Sequence, residues 1–348
     1  MSAIRYPFEQ TPEHGTALEV APGVHWLRMP LPFALDHINL WLLRDNDGWT
    51  VVDTGIARPD VQAHWERIFA EVLEGRPVRR LIVTHYHPDH VGLASWLTER
   101  WGVALWMSQA EFLTAHLVRS DLGAGDRTAL ARFFGRHGLD EERVAAFTAR
   151  GNTYSRGVPA LPVSYRRIAA GDTIAIDGRS WQVLVSEGHA PEHVSLHCPE
   201  LGVLIAGDQV LPRISPHIGV YPGEPEAGPL TQYLDSFAKF AHLPADVLVL
   251  PAHGDPFIGL HARIDMLRRH HQVRLDALIE ALHRPHTVTE TLPLLFRRDI
   301  SDHMTLATGE ALAHLHHLMR QGRITRRRNA AGIWEFQRDD APAQVAAQ

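Results

Sequence analysis

Residues 81–90 read Leu-Ile-Val-Thr-His-Tyr-His-Pro-Asp-His. A short apolar run passes without a gap into three histidines and an aspartate. Alternation along a strand sends His85 and His87 to the same side. Pro88 ends the strand, and Asp89 with His90 falls where a helix begins. Four metal-competent side chains thus crowd one loop, and neutral imidazole with carboxylate suits Zn²⁺, Fe or Mn²⁺. A lone histidine after a strand is ordinarily a turn or capping residue. The spacing His-x-His-x-Asp-His is not accounted for in that way.

Three further apolar runs end in side chains of the same kind. Residues 181–185 lead into Ser-Glu-Gly-His-Ala-Pro-Glu-His, which places His189 after a glycine; 203–207 end at Asp208; 247–250 lead into Pro-Ala-His-Gly and His253. Loops beyond strand ends are where sites gather. With the first cluster these residues reach the count needed for two metals.

The surrounding pattern is mixed α/β. Strands are expected at 24–29, 38–43, 49–53, 81–84, 103–106, 173–177, 181–186, 194–198, 202–206 and 247–250. Helices are expected at 59–74, from His90 onward, through most of 108–150 and at 230–241. Two runs of strands, each flanked by helices, suggest a layered domain. After Gly259 the order is a long Arg/His/Leu helix (260–283), two shorter helices (288–297 and 305–321), then strand, turn at Ala331-Gly332, and strand. That order is winged-helix-like. We therefore divide the chain into a catalytic domain at 1–258, a C-terminal winged-helix-like domain at 259–338 and a flexible tail at 339–348. A helical insertion at 108–165 would serve as a lid or an oligomer surface. His270, His271, His314, His316 and His317 lie on helices and read as surface or interface residues rather than ligands.

Composition narrows the class. With 348 residues, 45% hydrophobic and 21% charged, the chain can bury a large core. It has no apolar run of the ~18–20 residues needed to cross a bilayer, and no apolar segment near its N-terminus. No membrane association is expected, and a cytoplasmic location is the default. The single cysteine, Cys198, excludes an intramolecular disulfide and a cysteine-rich zinc framework. The net charge of -6 is uneven: residues 261–328 carry +5 and the remainder -11. Whole-surface adhesion to nucleic acid is thereby disfavoured.

The Thr-His-x-His-x-Asp-His motif, Gly-His-Ala-Pro-Glu-His, Ala-Gly-Asp and Pro-Ala-His-Gly resemble, in this order over about residues 20–258, the metallo-β-lactamase superfamily. The resemblance implies a four-layer αββα sandwich with a dinuclear centre at one edge. His85, His87 and His189 would hold one metal, Asp89, His90 and His253 the other, and Asp208 would bridge. Asp53, in Val-Val-Asp-Thr-Gly, falls where the family has a carboxylate that orients a ligand. The metals implied are two divalent ions, zinc first, with iron or manganese as alternatives.

Departures from subfamilies refine the expectation. Antibiotic-hydrolysing members often use a cysteine ligand, whereas here Asp208 occupies that strand end. Flavodiiron proteins resemble this fold but have glutamate in place of His87. Acyl-homoserine lactonases carry a tyrosine where this chain has Leu211. The segment after Asp208, Gln-Val-Leu-Pro-Arg-Ile-Ser-Pro-His, lacks the glutathione-recognition character of glyoxalase II. His217 and Tyr221, in the connection after Asp208, are candidates for a substrate-pocket wall.

The expected function is hydrolysis of a small-molecule ester, thioester or related carbonyl by a hydroxide bridging two metals, with Asp89 assisting as acid–base residue. Two alternatives stand beside it. One is phosphodiester cleavage in RNA, because the C-terminal region resembles that of a lactamase-like endoribonuclease and carries Arg326, Arg327 and Arg328. The other is a non-catalytic metal-containing regulator that binds a partner. Oligomer formation remains open.

Overall fold

A computed structural model of the chain describes residues 4–120, 127–297 and 299–339. In chain order the elements begin with β1 (Ala17–Ala21), β2 (Val24–Pro30), β3 (His37–Asp45), β4 (Gly48–Val52), α1 (Pro59–Glu71), β5 (Val78–Ile82), α2 (Pro88–Val91), α3 (Ala94–Trp101) and β6 (Leu105–Met107). There follow α4 (Gln109–Arg119), α5 (Arg127–Arg136), α6 (Glu141–Ala149), α7 (Tyr154–Gly157), β7 (Tyr165–Arg167), β8 (Thr173–Ile176), β9 (Arg179–Ser186), β10 (His193–Cys198) and β11 (Val203–Gly207). The remainder comprises α8 (Pro229–Ser236), β12 (Leu248–Pro251), β13 (Phe257–Ile258), α9 (Leu260–Ala281), β14 (His286–Thr287), α10 (Val288–Leu295), α11 (Met304–Arg320), β15 (Ile324–Arg328) and β16 (Trp334–Arg338). They fall into two compact units. One comprises Met1–Gly125, Asn152–Pro216 and Asp235–Met266, the other Asp126–Gly151, His217–Leu234 and Leu267–Gln348. The units interleave along the chain, whereas the division at residue 258 expected from the sequence is contiguous.

The first unit holds two mixed sheets. One runs β1-β2-β3-β4-β5-β6-β7 and the other β13-β12-β11-β10-β9-β8. Each contains a change of direction. Strands β4 to β7 are mutually parallel, and β11 is parallel to β12 within an otherwise antiparallel sheet. Side-chain alternation explains how the first sheet covers two cores. Trp26, Trp41, Leu43, Val52 and Ile82 meet Val183, Val194, Leu196, Val203, Ile205 and Leu250 of the second sheet. Their sequence neighbours Leu27, Leu40, Leu42, Val51 and Leu81 face the other way, toward helices. On α1, Val61, Trp65 and Ile68 recur at helical spacing and supply the apolar face, with Pro59 opening the helix. Trp26, Trp49 and Trp65 are fully buried without loss of a hydrogen bond: their indole N–H groups donate to Asn39 Oδ1, Leu73 O and Thr54 O at 2.8, 3.1 and 2.8 Å.

The expected strands and helices recur with shifts of a few residues. β1, β7, β13 and β14 were not anticipated, being short or flanked by polar residues. The strand expected at 81–84 ends at Ile82. His85 and His87 therefore lie on the loop after it, and loop geometry rather than strand alternation brings them together.

The second unit contains α10, α11 and a three-stranded sheet in the order β14-β16-β15. A capping box of Thr287 and Glu290 starts α10. The expected hairpin is present, with Ile324 paired to Arg338 and Arg328 to Trp334. Residues 340–348, most of the tail expected to be flexible, lie outside the described residues. Of the helical histidines, His270 is exposed as expected, but His271, His314, His316 and His317 are buried. Each finds an internal acceptor or donor. His314 Nδ1–H donates to Glu310 O and His316 Nδ1–H to Ala227 O, both at 2.8 Å, and His317 Nδ1 lies 2.8 Å from Thr231 Oγ1. The sequence pattern assigns these rings to a surface or an interface.

Burial holds His271 near pKa 2, aided by the neighbouring His314, and likewise pushes His314 down to about 4. Both are depressed below the unfolded value of about 6.5. Their stabilising contribution is therefore complete above pH 6.5 and is lost as pH falls, because the unfolded chain takes up the protons first. Between pH 7.5 and 5 the loss should be on the order of 2 kcal/mol per histidine. Urea unfolding at the two pH values checks this, and His271→Gln, which cannot ionise, should lose less stability over the same interval than wild type does.

Candidate metal centre

The parallel strand pairs position the site. Asp53 follows β4, and the loop 83–87 follows its parallel neighbour β5. Asp208 follows β11, and His253 lies just beyond β12. His189 sits in the connection from β9 to β10. Ligands in α/β sheets characteristically collect beyond the carboxyl ends of parallel strands, and all seven candidate ligands gather there.

They form two groups. In the first, His85 Nε2 lies 2.9 Å from His87 Nδ1 and 3.2 Å from His189 Nε2, and His189 Nε2 lies 3.3 Å from Asp208 Oδ2. In the second, Asp89 Oδ2 lies 3.3 Å from His253 Nε2 and 3.6 Å from His90 Nε2. Asp208 reaches both: its other oxygen, Oδ1, is 3.4 Å from His253 Nε2 and 3.5 Å from His90 Nε2. Within each group one donor atom per residue lies within 4.8 Å of all the others.

These spacings and the chemistry of the donor set fit divalent cations. A tetrahedron with bonds of about 2.0–2.1 Å has edges of about 3.3–3.4 Å, close to the donor separations in the first group. His90 Nε2 and Asp208 Oδ1 are buried without a hydrogen-bond partner, an expensive state unless a charge lies between them.

The rings are oriented from behind. His90 Nδ1–H donates to Asp53 Oδ2 at 2.8 Å, which turns Nε2 toward the second group. Asp53 is itself held by Thr84, whose N–H donates to Oδ1 at 2.8 Å and whose hydroxyl lies 2.9 Å from Oδ2. His253 Nδ1–H donates to the His37 carbonyl at 2.8 Å, so its Nε2 likewise faces inward. Asn39, fully buried, donates to Pro251 O and Gly254 O at 2.9 and 2.6 Å and steadies the turn carrying His253. On the Asp208 side, the backbone N–H of Asp208 donates to His193 Nε2 at 3.1 Å.

Electrostatics separate the groups. Burial, reinforced by neighbouring imidazoles, holds His85 and His87 well below the ordinary histidine range, so both are neutral. Burial also opposes charge on His90 and His253. The carboxylates of Asp53, Asp89 and Asp208 nevertheless hold His90 well above its ordinary range, and those of Asp208 and Asp89 raise His253 to about 10. Against burial, His90 and His253 in turn pull Asp89 down to about 2. The three carboxylates thus favour positive charge beside them, which divalent cations in this place would supply.

His37, Asn39, Thr84, Glu111, Tyr154 and His193 escaped the sequence reading. Two of them left a trace: Thr84 opens the Thr-His-x-His-x-Asp-His motif, and His193 is the second histidine of Gly-His-Ala-Pro-Glu-His. The two pocket candidates, His217 and Tyr221, belong to the second unit. There His217 Nε2 lies 2.6 Å from the Tyr221 hydroxyl oxygen.

The fold and the histidine–carboxylate clusters define a metal-dependent hydrolase class, and comparison with known proteins agrees. The profile of the metallo-beta-lactamase superfamily matches residues 34–253, and that of the metallo-beta-lactamase-like C-terminal domain matches residues 275–339. The chain belongs to the metallo-beta-lactamase superfamily and is a hydrolase. It is 45% identical to a beta-lactamase domain protein of known structure from Burkholderia ambifaria, with TM-score 0.91 over 97% of this chain and 98% of that one. It is 25% identical to a probable metallo-hydrolase of Bacillus subtilis over 86% of this chain and 93% of the relative. A hydroxyacylglutathione hydrolase of Idiomarina loihiensis is 24% identical over 63% of this chain and 62% of its own length.

Gly207 shows how tightly the site is built. Its φ is +52°, and a Cβ there would lie 2.5 Å from His193 Nε2. Gly207→Ala should cost at least about 1 kcal/mol of stability, measured by denaturant unfolding; a variant as stable as wild type would contradict this packing.

Proposed function

We propose that the chain is a dinuclear metal hydrolase acting on an ester or thioester of a small molecule. The observation that carries this reading is the Asp208 carboxylate, with one oxygen 3.3 Å from His189 and the other 3.4–3.5 Å from His253 and His90. A side chain so placed suits two cations held in common. His85, His87 and His189 would hold one, Asp89, His90 and His253 the other, and Asp208 both. Zinc is the first choice from the nitrogen-rich donor set and the tetrahedral spacing, with iron or manganese as alternatives. Bound there, a divalent pair supplies Lewis-acid polarisation of a carbonyl and water acidic enough to act as a nucleophile near neutral pH.

The chain's own groups do the rest. Asp53 and the His37 carbonyl fix the ring orientations of His90 and His253. Asp89 is ionised, and at 18% exposure its side chain is more open to solvent than that of His90, His253 or Asp208. Its carboxylate is suited to orient an attacking water and accept its proton. The only cysteine is buried in β10, and no Gly-x-Ser-x-Gly elbow is present to offer a serine nucleophile. A thioester is favoured by the relative named hydroxyacylglutathione hydrolase, although the segment after Asp208 does not favour glutathione as the carrier.

The RNA alternative draws on the arginines of β15, and their geometry weakens it. Arg326 pairs with Glu226 at 2.8 Å and stacks on Trp334 at 4.4 Å; Arg328 stacks on Trp334 at 4.6 Å; Arg327 lies 3.7 Å from Glu335. Groups so engaged would have to give up partners to meet phosphates.

Elemental analysis of protein prepared without chelator should find about two transition-metal ions per chain, and Asp208→Ala should lower occupancy and turnover together. Trace metal in wild type would sink the proposal. Asp89→Asn should lower turnover per bound metal by ~10² or more, the scale of positioned acid–base assistance. Equal turnover per metal would leave Asp89 a ligand only.

A further inference from the structure

Glu111, on α4, is a fully buried carboxylate that the proposed chemistry does not use. Burial pushes its pKa up to about 8, against the pull of the backbone N–H groups of Glu192 and Tyr86. A buried carboxylate is costly unless its acceptors are well satisfied. Here the partners come from two different loops. Oε2 accepts the N–H of Tyr86 at 2.9 Å, and Oε1 accepts the N–H of Glu192 at 2.6 Å. Tyr86 stands between His85 and His87, and Glu192 follows His189 by three residues.

Both loops are gripped a second time. The Tyr86 carbonyl accepts the Tyr154 hydroxyl of α7 at 2.6 Å, so this one peptide segment is held at its N–H and its C=O. Glu192 is tied back to the start of α4: its Oε2 accepts the N–H of Ala110, and its carbonyl accepts the hydroxyl of Ser108, each at 2.8 Å. None of the four side chains or backbone groups in this set is a candidate ligand. They set how far apart the ligand-bearing loops stand.

We propose that Glu111 is a positioning residue: its two oxygens fix the separation between the His85–His87 loop and the His189 loop, and so preset the three-histidine group for a divalent cation. This rests on the metal reading above. A carboxyl group suits the task because each of its two oxygens can accept a backbone N–H. A glutamine of the same shape keeps one acceptor but turns an NH₂ group toward a backbone N–H, so one loop is released while volume is conserved. Tyr154 supports the same segment from the opposite side, with α4 and α7 acting as a brace from within residues 108–165.

The test is zinc titration of metal-free protein, in competition with a chromophoric chelator. Wild type is compared with Glu111→Gln, Glu111→Ala and Tyr154→Phe, and thermal unfolding of each metal-free protein is recorded alongside. Loss of a residue that orients ligands typically costs 10- to 100-fold in metal affinity. Both Glu111 variants should bind the tighter zinc ion at least ~10-fold more weakly per folded molecule, and Tyr154→Phe should be weakened less. Cobalt(II) in the same site should show an altered visible spectrum in Glu111→Gln, which a purely structural role would leave unchanged. Should Glu111→Ala not fold, Glu111→Gln decides. Zinc affinity within threefold of wild type in the folded Glu111 variants would overturn the clamp alone. A wild-type protein that binds no zinc would overturn the metal reading and the clamp with it.

Discussion

Three carboxylates, from Asp53, Asp89 and Asp208, converge on the buried ring of His90. Like charges so close, away from water, are tolerable only if positive charge and hydrogen bonds answer each of them. His90 answers Asp53 through Nδ1, and Thr84 satisfies the rest of that carboxylate. Asp89 and Asp208 are answered by His253 and by the far nitrogen of His90. The surrounding architecture follows from keeping these groups in register: two parallel strand pairs deliver the aspartates, and helices behind them exclude water from the backbone that carries them.

Precision in the site comes from backbone ties to the loops that carry the candidate ligands. The His253 turn is pinned by Asn39 and by the His37 carbonyl. Asp208 is pinned through its amide by His193, which leaves room for no side chain at Gly207. The His85–His87 loop is pinned at Tyr86 by Glu111 and Tyr154. Each tie crosses between segments distant in sequence, so each ligand loop inherits its position from the sheets and helices rather than from its own conformation. A rigid scaffold of this kind makes convergent imidazoles available without a large ordering cost on metal binding.

The C-terminal unit follows a different economy. Its helices bury four histidines, each with a neighbouring acceptor or donor, and its β15 arginines stack on Trp334 or pair with glutamates. A region that reads as basic and histidine-rich therefore buries several of its histidines, while Arg327 and Arg328 stay exposed.

Sequence by itself determined the two strand runs, the long C-terminal helix and hairpin, and which histidines and aspartates would cluster. Apolar periodicity is a local property, and a polar side chain at the end of an apolar strand is conspicuous wherever the chain later goes. Tertiary structure alone decided the rest. Glu111 lies on an amphipathic helix, where a glutamate reads as part of the solvent face. Asn39 and Tyr154 sit in runs whose pattern says only strand or helix. His314, His316 and His317 look polar in sequence yet are buried, because their partners lie up to 89 residues away. Long-range hydrogen bonds leave no periodic trace in the chain that makes them, so the residues that hold the ligands in place became visible only once the sheets and helices had brought their partners together.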